Sequence, residues 1–389
     1  MAETVSGAPL PRWKLRARSL VPVVQGGMGI GVSAHRLAGH VARLGALGTI
    51  SSVELRQHHP DLLASHTTDK ETLDRLNNVA LDREIRAALA LCAGEGAIAV
   101  NVMKAVNAHA QYVRQACESG AHAIVMGAGL PLDLPELASG FPDVALIPIL
   151  SEARGVSIVL RKWMRKNRLP DAIVIEHPRY AGGHLGATRI SDVSDPRYDF
   201  EPVLERIFAL YDELALGRDC IPVIVAGGIH THEQVRALLA LGACAVQVGT
   251  PFAVCAEGDA HAEFKRVLAE ARPEDLVTFM SVAGLPARAV ATPWLRNYLK
   301  REKALQSHAK ADPRRCVPGG QCLTVCGLRD GLANAGQFCI ATRLAYALHG
   351  DVKKGLFFRG SEALPFGTAI RPVAELLDYL LTGLRPALP

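Results

Sequence analysis

Two glycine-containing strand ends carry the clearest chemistry in the chain. In IPVIVAGGIHTHEQVRALLALGACAVQVGTPF, one apolar run stops at Ala226, Gly227 and Gly228, and the next stops at Gln247, Val248, Gly249 and Thr250. Glycine lets backbone N–H groups approach an anion closely, and the helix expected from about Thr231 adds its positive end. The pair fits a phosphate group; tight turns without a ligand are the alternative. A third glycine-rich turn, VVQGGMGIGVSAHRLA, lacks the spacing of a dinucleotide fingerprint. Its better use is to set the backbone of Gly27 and Met28 against a flat ring. At two further strand ends, Asn101 and the Met126-Gly127 pair offer that ring an amide and a close backbone approach. Capping of the following turn is the other role open to Asn101.

The segment HPRYAGGHLGATRI places His184 directly after Gly182 and Gly183, with Gly186 beyond it. An imidazole titrates near neutrality, so a loop histidine can take a proton or donate to a developing anion. A structural histidine bonded to backbone is the alternative. His58, His59, His230 and His232 lack such a setting and read as surface or capping residues. Cys316, Cys322, Cys326 and Cys339 fall within CVPGGQCLTVCGLRDGLANAGQFC. Four thiolates can close around an iron–sulfur cluster or, less favoured, zinc, although the spacing matches neither a zinc ribbon nor the bacterial ferredoxin run. Unliganded buried thiols are the alternative. A cluster there would feed single electrons to a redox partner.

The elements that must position these residues alternate between short apolar runs and amphipathic stretches. The runs are VPVVQ (21–25), LGTIS (47–51), AIAVNV (97–102), HAIVM (122–126), VALIPI (144–149), AIVIEH (172–177), IPVIVA (221–226) and CAVQVG (244–249). Most are continuously apolar, as strands buried on both faces must be. AHRLAGHVARLG, LDREIRAALALCA, NAHAQYVRQACESG and THEQVRALLALG show helical spacing between them. Repeated strand and helix units predict a closed (β/α)8 TIM barrel; an open doubly wound sheet is the alternative. The barrel is expected over residues 1–270. Residues 271–389 are expected to form an appended C-terminal subdomain that carries the cysteines near the barrel mouth and ends in the helix VAELLDYLLTGL. The longer inserts, 52–80 and 178–200, follow carboxyl ends of strands, where barrel sites are built.

Composition narrows the classes. With 389 residues, 49% of them hydrophobic and 21% charged, the chain can bury a large core without staples. A net charge of +5, spread along the chain, argues against nucleic acid as partner. No stretch stays apolar long enough for a membrane helix, and the first residues lack the apolar region of a signal peptide, so a cytoplasmic protein is expected. Nine scattered cysteines do not form a disulfide framework.

Taken together and in order, PVVQGGMG, the Asn101 strand end, AGGHLGA, IPVIVAGGI, QVGTPF and SVAGLPARA resemble the nitronate monooxygenase family, formerly the 2-nitropropane dioxygenases, from about residue 20 to 295. The resemblance implies FMN at the top of the barrel, with its phosphate at Gly227, Gly228, Gly249 and Thr250 and its ring near Gly27, Met28 and Asn101; Gly182, Gly183, Ala226 and Gln247 complete the implied cofactor set. It implies that His184 is the base that takes the α-proton of a nitroalkane, and that O2 accepts the electrons. Similar barrels act as NAD(P)H-dependent quinone or enoyl-thioester reductases, and fold alone does not choose among them. A flavin-free barrel binding a phosphorylated metabolite is the reading from another class. The chain departs from the simplest members at HPRYA (177–181), which sets Arg179 and Tyr180 beside the catalytic loop. A cation there suits an anionic substrate or a nicotinamide phosphate; a surface arginine is the alternative. The expected partner is a small-molecule substrate, and the oligomeric state is left unassigned.

Overall fold

In the structure, a computed structural model describing residues 9–64, 69–316 and 322–386, all eight apolar runs become strands. A short antiparallel hairpin, β1 (Trp13–Leu15) and β2 (Arg18–Leu20), comes first. The barrel strands are β3 (Val23–Gln25), β4 (Leu47–Ser51), β5 (Ala97–Met103), β6 (Ala123–Gly127), β7 (Ala145–Leu150), β8 (Ile173–Glu176), β10 (Val223–Ala226) and β11 (Ala245–Val248). They pair in parallel, and β11 closes on β3. β9 (Gly183–His184) lies outside the barrel.

Alternate residues of each strand point inward, and those positions are filled by small or branched side chains such as Ala97, Ala99, Ala123, Ala145, Val174 and Ala245. Trp13, Leu15 and Leu20 join the same interior cluster. The hairpin is tied to the segments preceding the strands, since the Trp13 indole donates to the Val21 carbonyl and Arg18 donates to the Gly96 carbonyl. It therefore stoppers the amino end of the barrel and leaves the carboxyl end for chemistry.

Helices cover the outside. The one after β4 runs Lys70–Cys92, longer than the stretch LDREIRAALALCA suggested, because Leu73, Leu76 and Ala80 continue its buried stripe. Asp69 caps it by accepting from the Thr72 N–H. Among the described residues, no helix is long and apolar enough to cross a membrane.

The closing helix Val373–Thr382 packs against the helices His232–Ala240 and His35–Arg43, the place in the ring of the helix that follows β11. The His232 ring holds it through the Leu380 carbonyl at 3.0 Å. Residues 254–372 thus lie between the last barrel strand and its helix, so the packing cuts across the chain-order division at residue 270. Within this insert, β12 (Leu276–Met280), β13 (Pro286–Val290) and β14 (Phe357–Phe358) form an antiparallel sheet. β9 adds to that sheet, with His184 opposite Ala287 and Gly183 opposite Arg288.

Candidate active site

At the carboxyl ends of the strands lies a cavity of about 620 Å³. Gly27, Met28, Asn101, Gly182, Gly183, His184, Ala226, Gly227, Gly228, Gln247, Gly249 and Thr250, dispersed over more than two hundred positions, all line it. The insert supplies the facing wall, including Leu323, Ile340, Leu344, Leu356 and Phe358.

The cavity wall needs bare backbone at two places. Gly27 sits so close to Asn101 that a Cβ on it would overlap that side chain. Gly228 has φ +78°, and a Cβ there would come 2.8 Å from Tyr180 and 3.2 Å from Glu362. Among the described residues, no acceptor meets the N–H groups of Gly228, Gly249 or Thr250. Exposed donors beside a cavity are what an anion requires. The helix His232–Ala240 contributes less than its position suggests. Its Thr231–Gln234 capping box is closed, and the Gln234 amide oxygen already accepts from the N–H groups of His230 and Thr231. The free N–H donors beside the cavity belong to Gly228, Gly249 and Thr250.

His184 is held from the insert. Its Nε2 lies 2.9 Å from the hydroxyl of fully buried Ser281, which also accepts the Ala283 N–H. The Phe358 ring stands edge-on to it at 5.8 Å. Among the described residues, nothing bonds Nδ1. Loss of water around the ring pushes its pKa down to about 4, so the imidazole is neutral at physiological pH. The other histidines act as fasteners: His58 bonds the Gly31 carbonyl, His59 pairs with Glu84, and His230 bonds the Gly228 carbonyl.

Sequence reasoning passed over three features. Ser281 opens the quoted motif SVAGLPARA, yet its partner lies far away in the chain. Glu176 ends β8 and lines the cavity. Burial alone raises its carboxyl to about 7, and among the described residues no hydrogen bond reaches it. Residues 358–360 and 362–364 border the glycine cradle, and the Gly360 N–H donates to the Thr250 hydroxyl at 3.0 Å. Arg179 is exposed beside the Tyr180 ring and does not line the cavity. Arg288 and Arg359 are buried, and their guanidinium groups are spent on the backbone carbonyls of Ala181 and of Leu268, Gly360 and Glu362.

Cys322 lies near Cys339, Cys326 and Cys316: burial first, and then these three neighbours, push its thiol up. Among the described residues, no three His, Cys, Asp or Glu side chains are placed to hold a metal ion. Cys326 is buried before a short helix, Cys339 precedes the helix Ile340–Leu348 and meets the Thr342 hydroxyl, and Cys322 lines the cavity. All nine cysteines are free thiols.

The nitronate monooxygenase family model matches residues 14–383. A nitronate monooxygenase of Pseudomonas aeruginosa is 36% identical over a stretch covering 31% of this chain and 31% of that protein. A probable nitronate monooxygenase of Bacillus subtilis is 32% identical over 36% of this chain and 37% of that protein. These alignments span about a third of each relative. Among solved structures, FabK from Thermotoga maritima superposes with a TM-score of 0.64 at 22% identity, covering 94% of this chain and 93% of that chain. A nitroalkane oxidase from Streptomyces ansochromogenes gives 0.61 at 20% identity, covering 92% and 94%. Both share the barrel fold. With the family match running over nearly its whole length, the chain belongs to the nitronate monooxygenase family.

Proposed function

We propose that the protein is an FMN-dependent oxidoreductase of the nitronate monooxygenase type, acting on nitroalkanes or nitronates with His184 as base. The observation that carries this reading is the His184 ring, fixed by Ser281 on the wall of a cavity that the free N–H groups of Gly228, Gly249 and Thr250 also line. FMN fits the residues present. The free donors at Gly228, Gly249 and Thr250 suit its phosphate, and Gly27, Met28 and Asn101 line the cavity where a flat ring would lie. When bound, FMN supplies a two-electron centre that can pass electrons to O2.

The protein's own part is proton transfer. A base must keep one ring nitrogen unprotonated and near the substrate. With the His184 proton on Nε2 and donated to the Ser281 oxygen, Nδ1 is the nitrogen left to take an α-proton. Neutrality costs nothing at working pH, because desolvation already disfavours the imidazolium. The open cavity accommodates a small organic substrate.

Anaerobic flavin reduction tests the reading. Bleaching of the 450 nm band region by a panel of nitronates, at about the wavelength expected of oxidised flavin chromophores generally, supports it. Bleaching by NADH or NADPH alone would transfer the assignment to the quinone or enoyl-thioester reductases. A colourless folded protein would leave the flavin-free phosphometabolite reading. The iron–sulfur expectation rests on the grouping of Cys316, Cys322, Cys326 and Cys339 in the sequence. Iron, zinc and acid-labile sulfide analysis of anaerobically purified protein checks it.

A further inference from the structure

Of all residues in the eight barrel strands, Glu176 alone is ionisable. Strand alternation explains where it points. Ala172 and Val174 belong to the barrel interior, and Glu176 is the next inward position, at the top of β8. Asn101 on β5 and Gln247 on β11 also line the cavity. The cavity floor therefore carries two amides and one carboxyl.

A carboxyl in this place requires an explanation. Burying an ionisable group without a partner is costly, and such groups are retained mainly where they act. No ion pair includes Glu176 among the described residues, and no charged side chain contributes to its shift. The neighbouring His177 is committed to Asp199 at 3.1 Å. Other titratable groups on the cavity wall are Glu152, His184, His230, Cys322, Arg359 and Glu362, with the hydroxyls of Tyr180 and Tyr198. Arg359 is spent on backbone carbonyls, and Glu362 accepts from the Ser361 hydroxyl.

We propose that Glu176 faces the bound flavin and that its carboxyl controls how readily the ring accepts electrons. The inference rests on the FMN reading above. Reduction adds two electrons to the ring, supplied by the nitronate in that reading or by dithionite in a titration. A carboxylate beside the ring opposes the added charge. The neutral acid does not, and it can donate a hydrogen bond. Where Glu176 is ionised in the oxidised protein, reduction draws one further proton from solvent onto its carboxyl, and the charge near the ring is relieved. This role is separate from proton abstraction by His184.

The test is the midpoint potential of the holoenzyme, measured by dithionite titration against reference dyes from pH 5.5 to 8.5, for wild type and Glu176→Gln. Glutamine keeps the shape and removes the charge. At the alkaline end, the variant should favour reduced flavin by at least about tenfold at a fixed potential, which is about 30 mV for a two-electron couple. At the acid end, the two proteins should converge. Wild type alone carries a second readout, because its potential should gain one additional proton of pH dependence, about tenfold per pH unit, above the carboxyl's pKa. That readout decides the matter if the variant loses flavin or fails to fold. Parallel potentials at every pH, or a wild-type curve without the additional proton, would overturn the proposal. A folded but colourless wild type would overturn the flavin reading and this proposal with it.

Discussion

On the barrel side, the cavity is lined by backbone and short side chains at strand ends, with Gly27, Gly228 and Gly249 held by the rigid sheet. On the insert side, it is lined by Leu323, Ile340, Leu344, Leu356 and Phe358, which come from separate segments. The first wall can hold an anion and a flat ring through groups that every barrel of this kind can offer. Those side chains of the second wall are apolar, so they suit contact with a substrate's carbon body. His184 belongs to both: it leaves the barrel after β8 but is fixed by a strand and a serine of the insert. On the proposed reading, cofactor binding falls to one wall and specificity to the other.

Breaking the barrel wall should have the largest effect. Gly228→Val forces a branched residue into φ +78° and drives a Cβ against Tyr180. Backbone strain alone costs about 1–3 kcal/mol, which is about 5- to 150-fold in affinity. The purified variant should emerge without flavin absorbance. Normal flavin content would show that the cradle is elsewhere.

The insert wall should respond differently. Leu344→Ala keeps the helix Ile340–Leu348 intact and removes apolar surface from the cavity. Flavin content should be unchanged, while kcat/KM for long-chain nitroalkanes falls by about tenfold relative to nitroethane, the worth of a lost hydrophobic contact. Equal losses for short and long substrates would dissolve the division between the walls.

The two walls were unequally legible in the sequence. Every barrel strand could be read from its local apolar run, because a buried parallel strand advertises itself within a few residues. The glycine turns and His184 were legible for the same reason. The insert wall was not, since Leu323, Ile340 and Leu356 become neighbours only through tertiary packing. Ser281 was visible as part of a motif but not as the partner of His184, ninety-seven positions away. Glu176 was missed because a charged residue at a strand end reads as the exit to solvent; the inward series Ala172, Val174, Glu176 was the signal. The helix VAELLDYLLTGL was recognised, but its place in the barrel ring depends on contacts with Leu380 and its neighbours.

A smaller effect separates the two ionisable groups of the site. His184, depressed from 6.5 to about 4, contributes stability that is present above 6.5 and lost as pH falls. Glu176, raised from 4.5 to about 7, contributes stability that is present below 4.5 and lost as pH rises. Each is worth at most about 3 kcal/mol, and in wild type they largely offset one another. Urea unfolding of Glu176→Gln should show stability rising from pH 4 to 6.5, and of His184→Asn should show it falling from pH 4.5 to 7. Unchanged profiles in both variants would mean that the cavity is wetter than its lining implies.

Anaerobic flavin reduction by His184→Asn, with a neutral nitroalkane and with its preformed nitronate, tests whether His184 removes a proton inside a flavin site. Asparagine can hydrogen-bond to Ser281 but cannot accept a proton at neutral pH. General base catalysis is worth about 10²- to 10⁴-fold, so reduction by the nitroalkane should slow by that order while reduction by the nitronate falls much less. Equal losses on both substrates, or no loss on either, would contradict the account.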